Sequence, residues 1–328
     1  MELLEVPEPG EPGQGEVVLR PEVVGVCGSD VHLFHGDLGD VFPRIQGHEI
    51  SAVVDAVGPG SEGVSAGDRV AVWPVLACGR CTSCRIGRGN ACANIAIIGA
   101  HVDGALQERL RVSASQVFAV GDLPPAVTAF VEPTSIGVRT VVRARIGAED
   151  RVVVLGAGPI GQAVCLAARD LGAAVLVADV VPERLEHARA LGADDVVSGD
   201  AAAVADQMRD WAGGDGVGVL IETTGVPAVV RSAFDAMAPA GRLVLVALSH
   251  HDITLPLMDF PIKELDVLGV SCCNAAEFAA AVDLVRRNRD AVARLITDEF
   301  AFEQAPEAIA YVADGSPALM KAVIAVAP

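Results

Sequence analysis

The stretch Cys27-Gly28-Ser29-Asp30-Val31-His32, followed downstream by Gly47-His48-Glu49, gathers a thiol, a hydroxyl and two imidazoles. These are the donor types that hold zinc and pass protons. Each stretch alone has a plainer explanation. An isolated cysteine is more often a small buried apolar residue, and Gly-His-Glu is more often a turn with a satisfied histidine. A metal centre becomes the better reading only if the chain also supplies a third ligand and a cofactor.

A second set of thiols follows. Cys78, Cys81, Cys84 and Cys92 lie within fifteen residues, with glycines between them. A short loop can wrap such a set tetrahedrally around one Zn²⁺, with sulfur at about 2.3 Å and no place left for water. This pattern predicts a structural zinc. A disulfide pair fits less well in an acidic chain expected in the cytosol, and a nucleic-acid zinc knuckle is opposed by the formal net charge of −19.

The cofactor signal is Val152-Val153-Val154-Leu155-Gly156-Ala157-Gly158-Pro159-Ile160-Gly161, an apolar strand entering Gly-x-Gly-x-x-Gly and then a helix. Glycines there let backbone approach a pyrophosphate at the helix N-terminus. Asp179, eighteen residues after Gly161, ends the next strand. A carboxylate at that place accepts ribose hydroxyls and repels a 2′-phosphate, so NAD is favoured over NADP.

Elements must carry these residues. Prolines and glycines at positions 7 to 13 lead into a strand over Glu16 to Val24, and short apolar runs follow at 52–57, 69–73, 105–112 and 116–120. From Val131 strands alternate with helices: strands at 151–155, 174–178, 217–221, 243–248 and 266–271, helices at 160–171, 183–191 and 228–238. That alternation signals a parallel sheet. An amphipathic helix over 277–287 and a last strand near 322–326 return to the first domain. The expected fold class is α/β, a Rossmann doubly wound parallel sheet plus a mostly β domain with a structural zinc lobe, to which the family resemblance given below adds a GroES-like form and the catalytic role. The expected boundaries are 1–131 and 275–328 for the catalytic domain and 132–274 for the NAD-binding domain. The acidic, proline-bearing start is unlike a signal peptide, and the longest uncharged run is broken by glycine and proline, so a cytoplasmic location without a membrane segment is expected.

With these three motifs in this order, the sequence resembles the zinc-dependent medium-chain alcohol dehydrogenases over nearly its whole length. The resemblance implies a catalytic zinc on Cys27, His48 and Glu132, the last within Phe130-Val131-Glu132-Pro133. The Glu-Pro form is similar to the polyol, threonine and sugar-acid branches rather than to ethanol-type enzymes with a thiolate there. It implies that Glu49 approaches the metal during ligand exchange, that Ser29 and His32 form the proton relay, and that Arg184 lies near the adenosine. Ile160 is implied behind the nicotinamide, and the backbone near Val246, Leu248, Val270 and Cys272 as its carboxamide clamp. Ser271 and Cys272 replace an Arg-Asn pair associated with some sugar-acid members.

The implied function is an NAD-dependent zinc dehydrogenase that interconverts a secondary hydroxyl and a ketone on a polyol, sugar acid or similar polyhydroxylated small molecule. His35 and His101, the latter in a segment resembling the substrate region of sugar-acid members, are candidate hydroxyl contacts. A homodimer or homotetramer is implied. Threonine or a simple alcohol or aldehyde is the alternative substrate. A zinc-independent quinone or enone reductase would have no need of the two ligand sets, and an NAD-binding regulatory protein without turnover would have no need of intact ligands.

Overall fold

The computed structural model describes residues 1–36, 42–200, 203–317 and 319–326. The chain divides into two compact units, Met1–Ser135 with Cys272–Pro328, and Ile136–Ser271.

The first unit is built on a sheet in the order Ile296–Ala301, Lys321–Ala325, Glu16–Gly25, Glu49–Val57, Arg69–Val72, Val117–Ala119, with Leu110–Ser113 also paired to Glu16–Gly25. The first of these strands runs parallel to its neighbour and the other pairings are antiparallel. Alternating apolar residues, most of them β-branched, put Val17, Leu19, Ile50, Val54, Val70 and Val72 in a common core. The C-terminal strand therefore does return to the first strand, with Val24 opposite Ile324. Two expectations shift. The run at 105–112 is a strand only from Leu110, because the amides of Ala105 and Leu106 are spent on the carbonyls of Gly47 and Gln46. Ile296–Ala301 and the helix Ala305–Asp314 are additions to the expected elements.

The second unit holds a six-stranded sheet in the order Asp195–Ser198, Ala174–Asp179, Arg151–Leu155, Val217–Glu222, Met237–Leu245, Asp266–Gly269. All its pairings are parallel. Numbered within the unit this is 3-2-1-4-5-6, the doubly wound order whose direction reverses beside the first strand. Its strands are near-continuous apolar runs, as burial on both faces demands: Val152, Val153, Val154, Val175, Leu176, Val177, Leu220 and Ile221 are fully buried. The fifth strand starts at Met237 rather than Leu243. Its register against Val217–Glu222 jumps from Met237 to Arg242, across Ala240 at φ +58°. No helix among the described residues is long and apolar enough to cross a membrane.

Candidate active site

The first unit brings the opening motif and its answer together. Cys27 ends the approach from strand Glu16–Gly25 and caps the helix Gly28–His35, while Asp30 Oδ2 accepts from the Cys27 amide at 2.9 Å. Gly47, at φ +97°, turns the chain so that His48 and Glu49 enter the next strand. A side chain at Gly99 or Gly104 would strike the Gly47 carbonyl, at 2.5 and 2.4 Å, so this turn is clasped by bare backbone. The result is that donor atoms of Cys27, His48 and Glu49 all lie within 4.8 Å of one another. Glu132, in the first turn of the helix Val131–Ala144, is not in that set but lies close enough to feel the charges of His48, Glu49 and Lys321.

The imidazole is oriented from behind. His48 Nδ1 faces Asp30 Oδ1 at 3.7 Å, and neither buried atom has a hydrogen-bond partner. His48 Nε2 faces Ser29 Oγ at 3.3 Å. A proton on Nδ1 toward the carboxylate leaves the Nε2 lone pair for a metal, the usual carboxylate–histidine–metal arrangement. Burial opposes the imidazolium, yet Asp30, Cys27 and Glu132 raise His48 well above the ordinary histidine range. Burial raises Asp30, and it pushes the Glu132 carboxyl up to about 7 against the pull of His48. A thiol, an imidazole and carboxylates gathered this closely are the donor types that bind a divalent cation. The residues fit zinc.

Behind Glu49 stands Lys321, which donates from Nζ to Oε1 at 2.6 Å, to Oε2 at 2.7 Å and to the Val26 carbonyl at 3.0 Å. Gly25 makes room for this pairing, since a Cβ there would sit 2.0 Å from Glu49 Oε2. His32 is half-buried on the same helix as Ser29, whereas His35 and His101 are exposed. His101 Nδ1 accepts from the Ile97 amide at 3.2 Å, which turns Nε2–H outward.

The four lobe thiols also converge within 4.8 Å. Cys81 Sγ is 3.4 Å from Cys84 Sγ and 3.8 Å from Cys92 Sγ, while the amides of Cys78 and Asn94 each donate to Cys92 Sγ at 3.3 Å. Sulfurs at tetrahedral zinc stand about 3.8 Å apart, so the set fits a closed site. Backbone donors at Arg80 and Cys81 push the Cys78 thiol down to about 6, while desolvation and the neighbouring Cys81 push Cys84 up to about 12.

In the second unit, Gly156 at φ +97° follows strand Arg151–Leu155, and a Cβ on it would meet Thr223 Oγ1 at 2.5 Å. A Cβ on Gly161 would meet the Gly156 carbonyl at 1.9 Å. Both glycines have packing reasons within the protein. Gly158 has none: its φ of −69° suits any residue and nothing lies within 4 Å of an added Cβ. Open space at the N-cap of the helix Pro159–Asp170 fits a phosphate brought close to backbone. Asp179 Oδ2 accepts from the Ala157 amide at 2.5 Å and Oδ1 from the Val181 amide at 2.8 Å, which leaves lone pairs for ribose. A cavity of about 770 Å³ opens here, with Gly156, Gly158, Asp179, Arg184, Thr224 and Ser232 among its lining. Ile160, Val246, Leu248 and Val270 do not line it, and Cys272, at φ +44°, falls in the first unit. The amides of Val246 and Val270 donate to the carbonyls of Glu222 and Leu245.

Several supporting residues escape the sequence motifs. Gln162 ties the glycine loop to the next helix, donating to the Ala157 and Arg184 carbonyls at 2.8 Å each. Thr223 Oγ1 donates to the Leu155 carbonyl at 2.8 Å. Asp30 sits inside the quoted motif and Lys321 is one of two lysines in the chain, so each left a trace.

Residues 13–122 match the alcohol dehydrogenase GroES-like domain and residues 159–287 match the zinc-binding dehydrogenase model. The chain is 36% identical over 321 residues to 2-dehydro-3-deoxy-L-galactonate 5-dehydrogenase of Pseudoalteromonas atlantica, covering 95% of this chain and 92% of that one. It is 31% identical to sorbitol dehydrogenase of Bacillus subtilis, covering 90% and 85%. Its structure is similar to an Escherichia coli alcohol dehydrogenase complexed with cofactor NADH, with a TM-score of 0.86, 30% identity and coverage of 98% and 94%. Two ligand sets, a dinucleotide loop and these likenesses make the chain a member of the zinc-dependent medium-chain alcohol dehydrogenases, in their polyol and sugar-acid branch.

Proposed function

We propose that this chain catalyses the reversible NAD-linked oxidation of a secondary hydroxyl to a ketone on a polyol, sugar acid or related polyhydroxylated compound. The observation that carries this reading is the convergence of Cys27, His48 and Glu49 donors within 4.8 Å, with Glu132 near enough to feel the charges of His48 and Glu49. Glu132 is the third protein ligand in this reading, as the family resemblance implies, and Glu49, whose donor atom already lies with those of Cys27 and His48, approaches the metal during ligand exchange. When bound, zinc acidifies a hydroxyl and NAD accepts hydride.

The chain's own residues do the rest. Ser29 Oγ, close to the His48 face that meets the metal, takes the hydroxyl proton. His32, three residues on and therefore on the same helix face, passes it toward solvent. Asp30 holds the imidazole tautomer. The balance is alcohol plus NAD⁺ to ketone plus NADH plus one proton. Arg184 and Asp179 hold the adenosine, Ile160 backs the nicotinamide, and backbone near Val246, Leu248, Val270 and Cys272 holds its carboxamide.

Substrate class rests on two supports. The named relatives act on a sugar acid and on sorbitol, and the oxygen-rich ligand set with exposed His35 and His101 suits neighbouring hydroxyls. The domains in this reading are 1–131 with 275–328 for zinc and substrate and 132–274 for NAD, in a cytoplasmic homodimer or homotetramer free of nucleic acid and membrane. The test is kcat/KM with NAD for hexitols, aldonates and deoxyaldonates against threonine, ethanol and benzyl alcohol. A site that bonds several hydroxyls rejects bare alcohols strongly. A simple alcohol as best substrate would overturn the assignment.

A further inference from the structure

Three neighbouring strands of the six-stranded sheet end side by side at the cofactor cavity. Arg151–Leu155 runs out at Gly156 and Gly158, Ala174–Asp179 at Asp179, and Asp195–Ser198 at Gly199 and Asp200. Leu155 lies opposite Ala178 and Ser198 opposite Asp179, and the Gly199 amide donates to the Asp179 carbonyl at 3.0 Å, so the three ends are nearly level. Each step from strand to strand is about 4.8 Å. A dinucleotide whose pyrophosphate sits at Gly158 and whose ribose meets Asp179 therefore brings its base, one strand further, to the end marked by Gly199 and Asp200.

The cavity wall suits a base. Val180 and Val226 line it with 65% and 48% of their surfaces exposed, and a flat aromatic ring would cover such apolar faces. Val204, fully buried, adds a third apolar surface. Among the described lining residues, Asp200 is the one polar side chain that follows the strand Asp195–Ser198. Its Oδ1 accepts from the Ala203 amide at 2.8 Å, which orients the carboxylate and leaves Oδ2 for a ligand.

We infer that Asp200 is a specificity-determining residue that selects adenine by accepting a hydrogen bond from the exocyclic amine at position 6 of the base. An ionised carboxylate accepts and never donates. It therefore favours an amine at that position and repels the carbonyl oxygen that guanine and hypoxanthine carry there. Recognition is divided between two strand ends: Asp179 reads the ribose and Asp200 reads the base.

This assignment rests on the NAD reading of the cavity, so NAD binding to the wild-type protein is measured first, by calorimetric titration without substrate. Failure to bind would sink that reading, and the role of Asp200 with it. NAD is then compared with nicotinamide hypoxanthine dinucleotide, in which an oxygen replaces the position-6 amine. Wild type should bind NAD about tenfold more tightly, the effect of one hydrogen bond to a charged group in a partly open site. Asp200→Asn keeps an oxygen for the Ala203 amide, so Tm should hold, but it turns an N–H donor toward the cavity, and the preference should fall to parity or reverse. Should Asp200→Asn fail to fold, Asp200→Ser decides, since its hydroxyl can also accept from that amide; its preference should fall to parity. Asp179→Asn should weaken both dinucleotides and leave the preference in place. Equal binding of the two dinucleotides by wild type overturns the inference. A preference that survives replacement of Asp200, or that disappears with Asp179→Asn, overturns it equally.

Discussion

His48 and Glu132 both hold a proton more tightly than an ordinary histidine or glutamate, and this has a measurable sign. Burial lifts the Glu132 carboxyl from an ordinary glutamate value to about 7, and His48 stands well above its usual range, carried there by Asp30, Cys27 and Glu132 against burial. Both groups hold protons more tightly folded than unfolded, so both favour the folded chain at low pH. Glu132's share is full below the ordinary glutamate value and is lost as pH rises through about 7. That of His48 is lost as pH rises through its raised value. The zinc-stripped chain should therefore have a higher Tm at pH 5.5 than at pH 8, and zinc, which needs both groups deprotonated, should add more Tm at pH 8. Thermal scans of stripped and reloaded protein at the two pH values check this; equal zinc stabilisation at both would contradict it. At this scale the sequence shows Cys27, His48 and Glu49 plainly, because their spacing is local. Lys321 could not be read as a partner of Glu49, since an ion pair spanning 272 positions is made by strand pairing and leaves no local pattern.

Among the elements, the glycine loop separates what the fold needs from what a ligand needs. Gly161→Ala puts a Cβ 1.9 Å from the Gly156 carbonyl and should destabilise the second unit. Gly158→Ala meets nothing and keeps an ordinary φ, so Tm should hold while Kd for NAD rises by about tenfold, roughly 1.4 kcal/mol. Calorimetric titration beside thermal unfolding distinguishes the two; an unchanged Kd for Gly158→Ala would place the pyrophosphate elsewhere. The strand Arg151–Leu155 is legible to the residue because a continuous apolar run stops at a glycine. Met237–Leu245 is legible only from Leu243. Pro239 and Gly241 look like a turn, yet the chain passes them within a strand by shifting register against Val217–Glu222. The strand Leu110–Ser113 is shorter than its apolar pattern because residues 105 and 106 bond the Gly47 turn instead, a tertiary demand that periodicity cannot carry.

For the whole molecule, two folds of opposite texture are announced by composition. Alternating short strands fill one unit and continuous apolar strands the other, and the order of three motifs along the chain assigns chemistry to each. The charge of −19 adds a consequence of its own. A strongly negative chain repels anionic substrates at low ionic strength, and salt screens that repulsion, with a Debye length near 10 Å at about 0.1 M. For an aldonate, kcat/KM should rise between low and moderate salt, while for a neutral hexitol it should stay nearly flat. Parallel salt titrations read this difference; a fall for the aldonate would mean that local cations outweigh the net charge. The most direct measurement is NADH formation from the best polyhydroxylated substrate before and after a chelator removes the exchangeable zinc, with the lobe zinc retained. Activity should vanish on removal and return when one equivalent of zinc is restored, while NAD binding stays constant throughout. Turnover that continues undiminished without that zinc would contradict a hydride transfer organised around Cys27, His48 and Glu132.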